Sequence, residues 1–102
     1  MVNLKIKQIQ SNDNHDIELG VMCGWDNSAR RSIKADIFHG ASPAIFRKWF
    51  EVAYMSSLER KTSEKKPILF INAWNEWAEG AYLEPDVKYG SGYLEAIDSV
   101  LK

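Results

Sequence analysis

Apolar and polar positions along this chain alternate between two periods. Val2, Leu4 and Ile6 alternate with Asn3, Lys5 and Lys7, the period of a half-exposed strand, so residues 2–7 are predicted as a strand. Ser11 to Asp16 is polar and turn-forming, and the pattern up to residue 18 assigns little else. Leu19 to Trp25 is a short apolar run suited to a buried strand, and it opens into the polar cluster Trp25-Asp26-Asn27-Ser28-Ala29-Arg30-Arg31. Residues 32–41 read as a loop. Ser42 is a good N-cap, with Pro43 at the first helical position. Ile45, Phe46, Trp49, Phe50, Ala53, Tyr54 and Leu58 then recur at helical spacing, which predicts a helix from about Pro43 to Arg60 with one wide apolar stripe. A charged connector over residues 61–66 leads to a second apolar strand, Ile68 to Asn72. A loop runs from there to Gly90. A closing helix follows from Ser91 to Leu101, with Tyr93, Leu94, Ile97, Val100 and Leu101 facing inward.

From Leu19 onward the order is strand, polar loop, helix, strand, polar loop, helix. That is β/α alternation, and it predicts a parallel pair, Val21 to Trp25 beside Ile68 to Asn72, joined by the helix from Pro43. In a parallel sheet or barrel the loops after the strands share one face, and that face carries the site. Trp25 to Arg30 and Trp74 to Glu79 are therefore predicted to converge.

The second loop holds the densest chemistry. Ile71-Asn72-Ala73-Trp74-Asn75-Glu76-Trp77-Ala78-Glu79-Gly80 continues to Leu83-Glu84-Pro85-Asp86. A generic connection favours Gly, Pro, Asp and Ser. Tryptophan faces instead pack on the C–H surfaces of pyranose rings, amides and carboxylates bond hydroxyls, and paired carboxyl groups do acid/base work at glycosidic bonds. The candidate catalytic pair is Glu76 and Glu79. Trp25, Asp26, Asn27, Arg30, Trp74, Asn75, Trp77 and Glu84 are candidate substrate-binding residues. One of Trp74 and Trp77 is expected in the core and the other at the site. Asp26 and Arg30 have the alternative of pairing with each other across a turn, and Glu84 and Asp86 of shaping the loop. His15, with Asp13 and Asp16 nearby, makes a poor metal site.

Composition narrows the field. With 102 residues and 45% hydrophobic content the chain is the size of one small globular domain, residues 1–102. A net charge of -1, with basic residues dispersed, argues against nucleic-acid binding. The single cysteine, Cys23, permits no intrachain disulfide and fits a reducing compartment. No apolar run approaches the ~20 residues of a membrane span, and residues 1–10 lack a signal-peptide core, so a cytoplasmic location is expected.

In order, Trp25-Asp26-Asn27-Ser28-Ala29-Arg30, Asn75-Glu76-Trp77-Ala78-Glu79-Gly80, Leu83-Glu84-Pro85-Asp86, Tyr89-Gly90 and Tyr93-Leu94 resemble the C-terminal part of the WbsX-type glycosyltransferases of bacterial lipopolysaccharide and surface-polysaccharide biosynthesis. That family is similar in turn to the glycoside hydrolase family 99 endo-mannosidases, which are (β/α)8 barrels. The resemblance covers Gly20 to Lys102. It implies a carbohydrate or sugar-donor substrate and glycosyl transfer or hydrolysis, with no metal or organic cofactor. One of Glu76 and Glu79 would deprotonate a substrate hydroxyl. The other would act as general acid toward the leaving oxygen and then as general base toward water. The hydrolase motif usually has His where this chain has Ala78. A whole barrel takes about 250 residues. The chain is therefore expected to supply its last β/α units, to be inactive in isolation, and either to self-associate or to depend on the N-terminal barrel portion. A non-catalytic sugar-binding or structural piece is the alternative.

Overall fold

The computed structural model describes residues 2–11, 18–26, 38, 40–60 and 66–102. Asn27 and Arg30 lie outside the described residues, as do His15 with its neighbouring acids, His39 and most of the charged connector.

The N-terminus corrects the strand expectation, because Val2–Ser11 is a helix, α1. Val2, Ile6 and Ile9 are buried whereas Leu4 is 60% exposed. Alternation over six residues coincides with the i, i+4 repeat at positions 2 and 6, and Ile9 one turn later decides for the helical period. That face packs on the long helix α2, Pro43–Glu59.

The middle of the chain follows the pattern, except that the first strand, expected to reach Trp25, ends at Met22. Strands β1, Leu19–Met22, and β2, Leu69–Asn72, are parallel and hydrogen-bonded, with Leu19 opposite Leu69 and Met22 opposite Asn72. Helix α2 crosses over between them, so β1-α2-β2 is a β/α/β unit. Ser42 caps α2 as predicted, its Oγ accepting the N–H of Ile45 at 3.3 Å, and Pro43 occupies the first turn, where no intrahelical N–H is needed. Phe46, Trp49, Phe50 and Ala53 form the buried stripe, while Ile45 and Leu58, at its margins, are 38% and 37% exposed.

The last helix, α3, spans Gly92–Leu101 and packs on the other flank of α2. Tyr93 and Ala96 are its buried positions; Leu101, predicted inward, is 53% exposed in the final turn. The core is thus a helical layer, α1-α2-α3, against one face of the two-stranded sheet. Phe46 meets Tyr93 edge-on at 5.5 Å, and Phe38 tilts against Trp49 at 6.2 Å. Leu19 and Val21 are buried on the helical side. Phe70, on the other face, is 60% exposed, and Ile68 ahead of the strand is 46% exposed.

The segment between β2 and α3 is more ordered than a loop. After the cis Asn72–Ala73 bond it makes an antiparallel hairpin, β3 (Asn75–Glu76) with β4 (Ala81–Tyr82), closed by a 3₁₀ turn over Trp77–Glu79. Its strands are two residues long, too short for a period to register in the sequence.

Candidate functional site

The polar loops after β1 and β2 meet. The backbone N–H of Asp26 donates to the carbonyl oxygen of Glu79 at 2.7 Å. Glycine permits the approach on both sides. A Cβ at Gly24 would stand 2.8 Å from the carbonyl oxygen of Gly80. Gly80 itself ends the 3₁₀ turn in the left-handed region, φ 65°, with Asp26 packed against it. The two loops thus meet, as expected, through the backbones of Asp26 and Glu79.

A cleft of about 300 Å³ opens at this junction. The first loop contributes Cys23, Gly24, Trp25 and Asp26 to its wall, and the second Gly80, Tyr82, Asp86, Lys88 and Tyr89, with Tyr93 of α3 below. Asp86 organises the second group. Its Oδ2 accepts the Tyr82 hydroxyl at 2.9 Å and its Oδ1 the Tyr89 backbone N–H at 2.6 Å, while the backbones of Asp86 and Gly90 pair in both directions. The Tyr89 hydroxyl donates to the carbonyl of Ala41 at 3.3 Å, tying this loop to the start of α2. The Lys88 ammonium lies 5.1 Å from the centre of the Tyr89 ring.

Burial tunes the floor of the cleft. Cys23 is 3% exposed, and its thiol is pushed up to about 11 by desolvation, only partly offset by backbone hydrogen bonds. It is a neutral packing group facing the carbonyls of Asn72 and Ala73. Tyr82 and Tyr93 are both shifted upward, first by burial; the Asp86 carboxylate adds to the shift at Tyr82, and the neighbouring Tyr89 to that at Tyr93. Neutral phenols and two carboxylates offer donors and acceptors to a polyhydroxylated ligand, with Trp25 and the tyrosines supplying flat apolar surface.

The remaining sequence-predicted residues are placed differently. Trp74 and Trp77 are 52% and 48% exposed, so neither is in the core, which corrects the expectation that one would be. The Trp74 carbonyl accepts the N–H groups of Leu83 and Glu84, closing the base of the hairpin. Asn75 and Glu76 are exposed on β3, and Glu79 is half-buried at the end of the turn. Glu84 accepts the Trp77 indole N–H at 2.9 Å. Among the described residues no group of three or more His, Cys, Asp and Glu is placed to hold a metal, and no helix is long and apolar enough to cross a membrane.

Tyr82, Lys88 and Tyr89 line the cleft without being candidates from the sequence, and Asp86, offered there as a loop-shaping residue, lines it too. Tyr89 and Asp86 sit in the motif series, so a signal was present; Tyr82 enters the cleft only through the hairpin, and nothing marks it in one dimension.

A β/α/β unit that gathers aromatic and carboxylate side chains at the carboxyl ends of its parallel strands is a mixed α/β arrangement with a cleft where such sheets carry their sites. The chain belongs to the glycosyltransferase WbsX family, whose model matches residues 2–97. It is 46% identical over 82 residues to two proteins named "Uncharacterized protein WxcX", from Xanthomonas campestris pv. campestris strains B100 and ATCC 33913. The match covers 80% of this chain and 12% of each relative, so the chain spans about an eighth of their length. No solved structure matches it.

Proposed function

We propose that this chain is the carbohydrate-binding, C-terminal β/α portion of a barrel-type protein that transfers or hydrolyses glycosyl residues in the cytoplasmic assembly of a bacterial surface polysaccharide. Its site is the cleft joining the two loops. The Asp26–Glu79 backbone bond carries the reading, because it brings two sequence-distant polar loops to one concave surface. Membership of the WbsX family supports the sugar chemistry. In this reading Glu76 and Glu79 are the acid/base pair. Glu76 precedes and Glu79 ends the 3₁₀ turn that closes the hairpin, three positions apart. Trp25, Asp26, Asn27 and Arg30 hold the substrate from the first loop, and Trp74, Asn75, Trp77 and Glu84 from the second. The uncovered sheet face bearing Phe70 packs on further β/α units or on a second copy, since a parallel sheet is stable with both faces covered.

The non-catalytic alternative has its own support: Glu76 is exposed, and neither Glu76 nor Glu79 lines the cleft as Trp25 and Asp26 do. Turnover separates the two. In a full-length WbsX-family protein containing this segment, assayed with nucleoside-diphosphate sugar donors, Glu76→Gln and Glu79→Gln should each lower turnover about 10²–10⁴-fold with donor binding retained. Unchanged turnover in both variants leaves only the binding role.

A further inference from the structure

We propose that the outward face of Trp77 is a second sugar subsite, separate from the cleft, that takes the neighbouring pyranose ring of an oligosaccharide. The proposal rests on the carbohydrate reading above.

Trp77 is built as a platform. One face of its indole is stacked on Tyr82, with ring centroids 3.7 Å apart and planes 13° from parallel. The residue nevertheless remains 48% exposed. Both rings are held in plane by carboxylates: the Trp77 Nε1–H donates to Glu84 Oε1, and the Tyr82 hydroxyl donates to Asp86 Oδ2, each at 2.9 Å. Both braces come from the loop that follows β4, and the one from Glu84 reaches across the hairpin. An exposed tryptophan that merely tolerates solvent needs no such bracing. A ring that must present one flat face in one orientation does, because ordering it beforehand removes the entropy loss from the binding step.

The chemistry of that face selects the ligand. An aromatic face carries the negative end of the ring quadrupole, which suits the weakly positive C–H groups on one side of a pyranose. Glu84 adds polarity at the rim, one of its carboxylate oxygens holding the indole. The ligand class is a neutral pyranoside. Tyr82 belongs to both places, covering the inner face of Trp77 and lining the cleft, so a saccharide longer than one ring can rest on both sides of this pair.

The test uses the full chain, ¹H–¹⁵N spectra resolving the tryptophan indole resonances, and two kinds of probe: methyl hexopyranosides, and the trisaccharides maltotriose, cellotriose and mannotriose. A trisaccharide should shift the Trp77 indole resonance. Trp77→Ala should weaken trisaccharide binding about tenfold more than it weakens methyl glycoside binding, and Trp77→Phe should recover most of the loss. Glu84→Leu, which frees the indole without removing it, should fall between them. Equal trisaccharide affinity in the wild type and Trp77→Ala overturns the subsite, as does failure of every trisaccharide to bind. Methyl glycosides perturbing the cleft with no gain from longer sugars would sink the subsite alone. A trisaccharide shifting Trp77 but nothing around Trp25 and Tyr89 would sink the cleft reading and keep the subsite.

Discussion

Asp26 and Glu79, more than fifty positions apart in sequence, are joined backbone to backbone at 2.7 Å. The bond ties the exit of β1 to the turn that closes the β3–β4 hairpin, joining the two sides of the cleft. The two glycines around it should therefore be intolerant of any side chain. At Gly24 an added Cβ would meet the Gly80 carbonyl oxygen at 2.8 Å, and backbone cannot swing aside as a side chain can. Gly24→Ala should lower stability by about 1–3 kcal/mol. Gly80→Ala, at positive φ and against Asp26, should cost about 1–2 kcal/mol. Urea unfolding measures both. Wild-type midpoints in both variants would show that the loops do not meet this closely.

Asp86 should be the most sensitive polar residue of the second loop. Asp86→Ala strands the Tyr82 hydroxyl and the Tyr89 N–H together, and about 1–3 kcal/mol should be lost. Tyr82→Phe removes one partner of one bond and should cost about 1 kcal/mol. Equal losses in the two variants would mean that Asp86 acts only through Tyr82.

The helical N-terminus separates two readings of one pattern. Leu4→Ala should change stability by no more than about 0.5 kcal/mol, because the side chain is exposed. Ile6→Ala should cost about 2–5 kcal/mol. In a strand, Val2, Leu4 and Ile6 would share one face and respond alike. The sequence misled here because too few residues were available to tell a period of two from 3.6. The β1-α2-β2 unit was readable because α2 offers several turns of apolar stripe, a side-chain cap and Pro43, and because each strand ends in a polar cluster. The hairpin was not, since its pairing rests on the turn geometry of Trp77 to Gly80. For the same reason the meeting of the Trp25–Asp26 loop with the second loop could be expected from sequence, whereas the place of Tyr82 in the cleft wall could not. Glu76 illustrates the converse: its type and spacing announce chemistry, and its exposed position on β3 leaves it outside the wall of the cleft.

Cys23 gives the alkaline limb of stability. The folded thiol titrates near 11 against an ordinary 9.0, so the folded state holds its proton more tightly than the unfolded chain. The resulting stabilisation is fully present below pH 9.0 and is lost as pH rises toward about 11. Tyr82 and Tyr93 are shifted in the same direction, so the slope belongs to several groups. Cys23→Ala isolates its share and should flatten the dependence between those limits by up to about 1.4 kcal/mol per pH unit. Alkylation by iodoacetamide at pH 8 should also be slow unless denaturant is added. Rapid alkylation of the native chain would contradict a buried, neutral thiol.

The most direct test of one shared carbohydrate site is backbone ¹H–¹⁵N mapping of the full chain during titration with methyl hexopyranosides and a nucleoside-diphosphate hexose. At least one of these probes should perturb Trp25 and Asp26 together with Gly80, Tyr82 and Tyr89, all fitting a single dissociation constant, while Lys5 and Glu51 on the helical layer stay unmoved. Perturbation confined to one loop, or no saturable response to any probe, would contradict it.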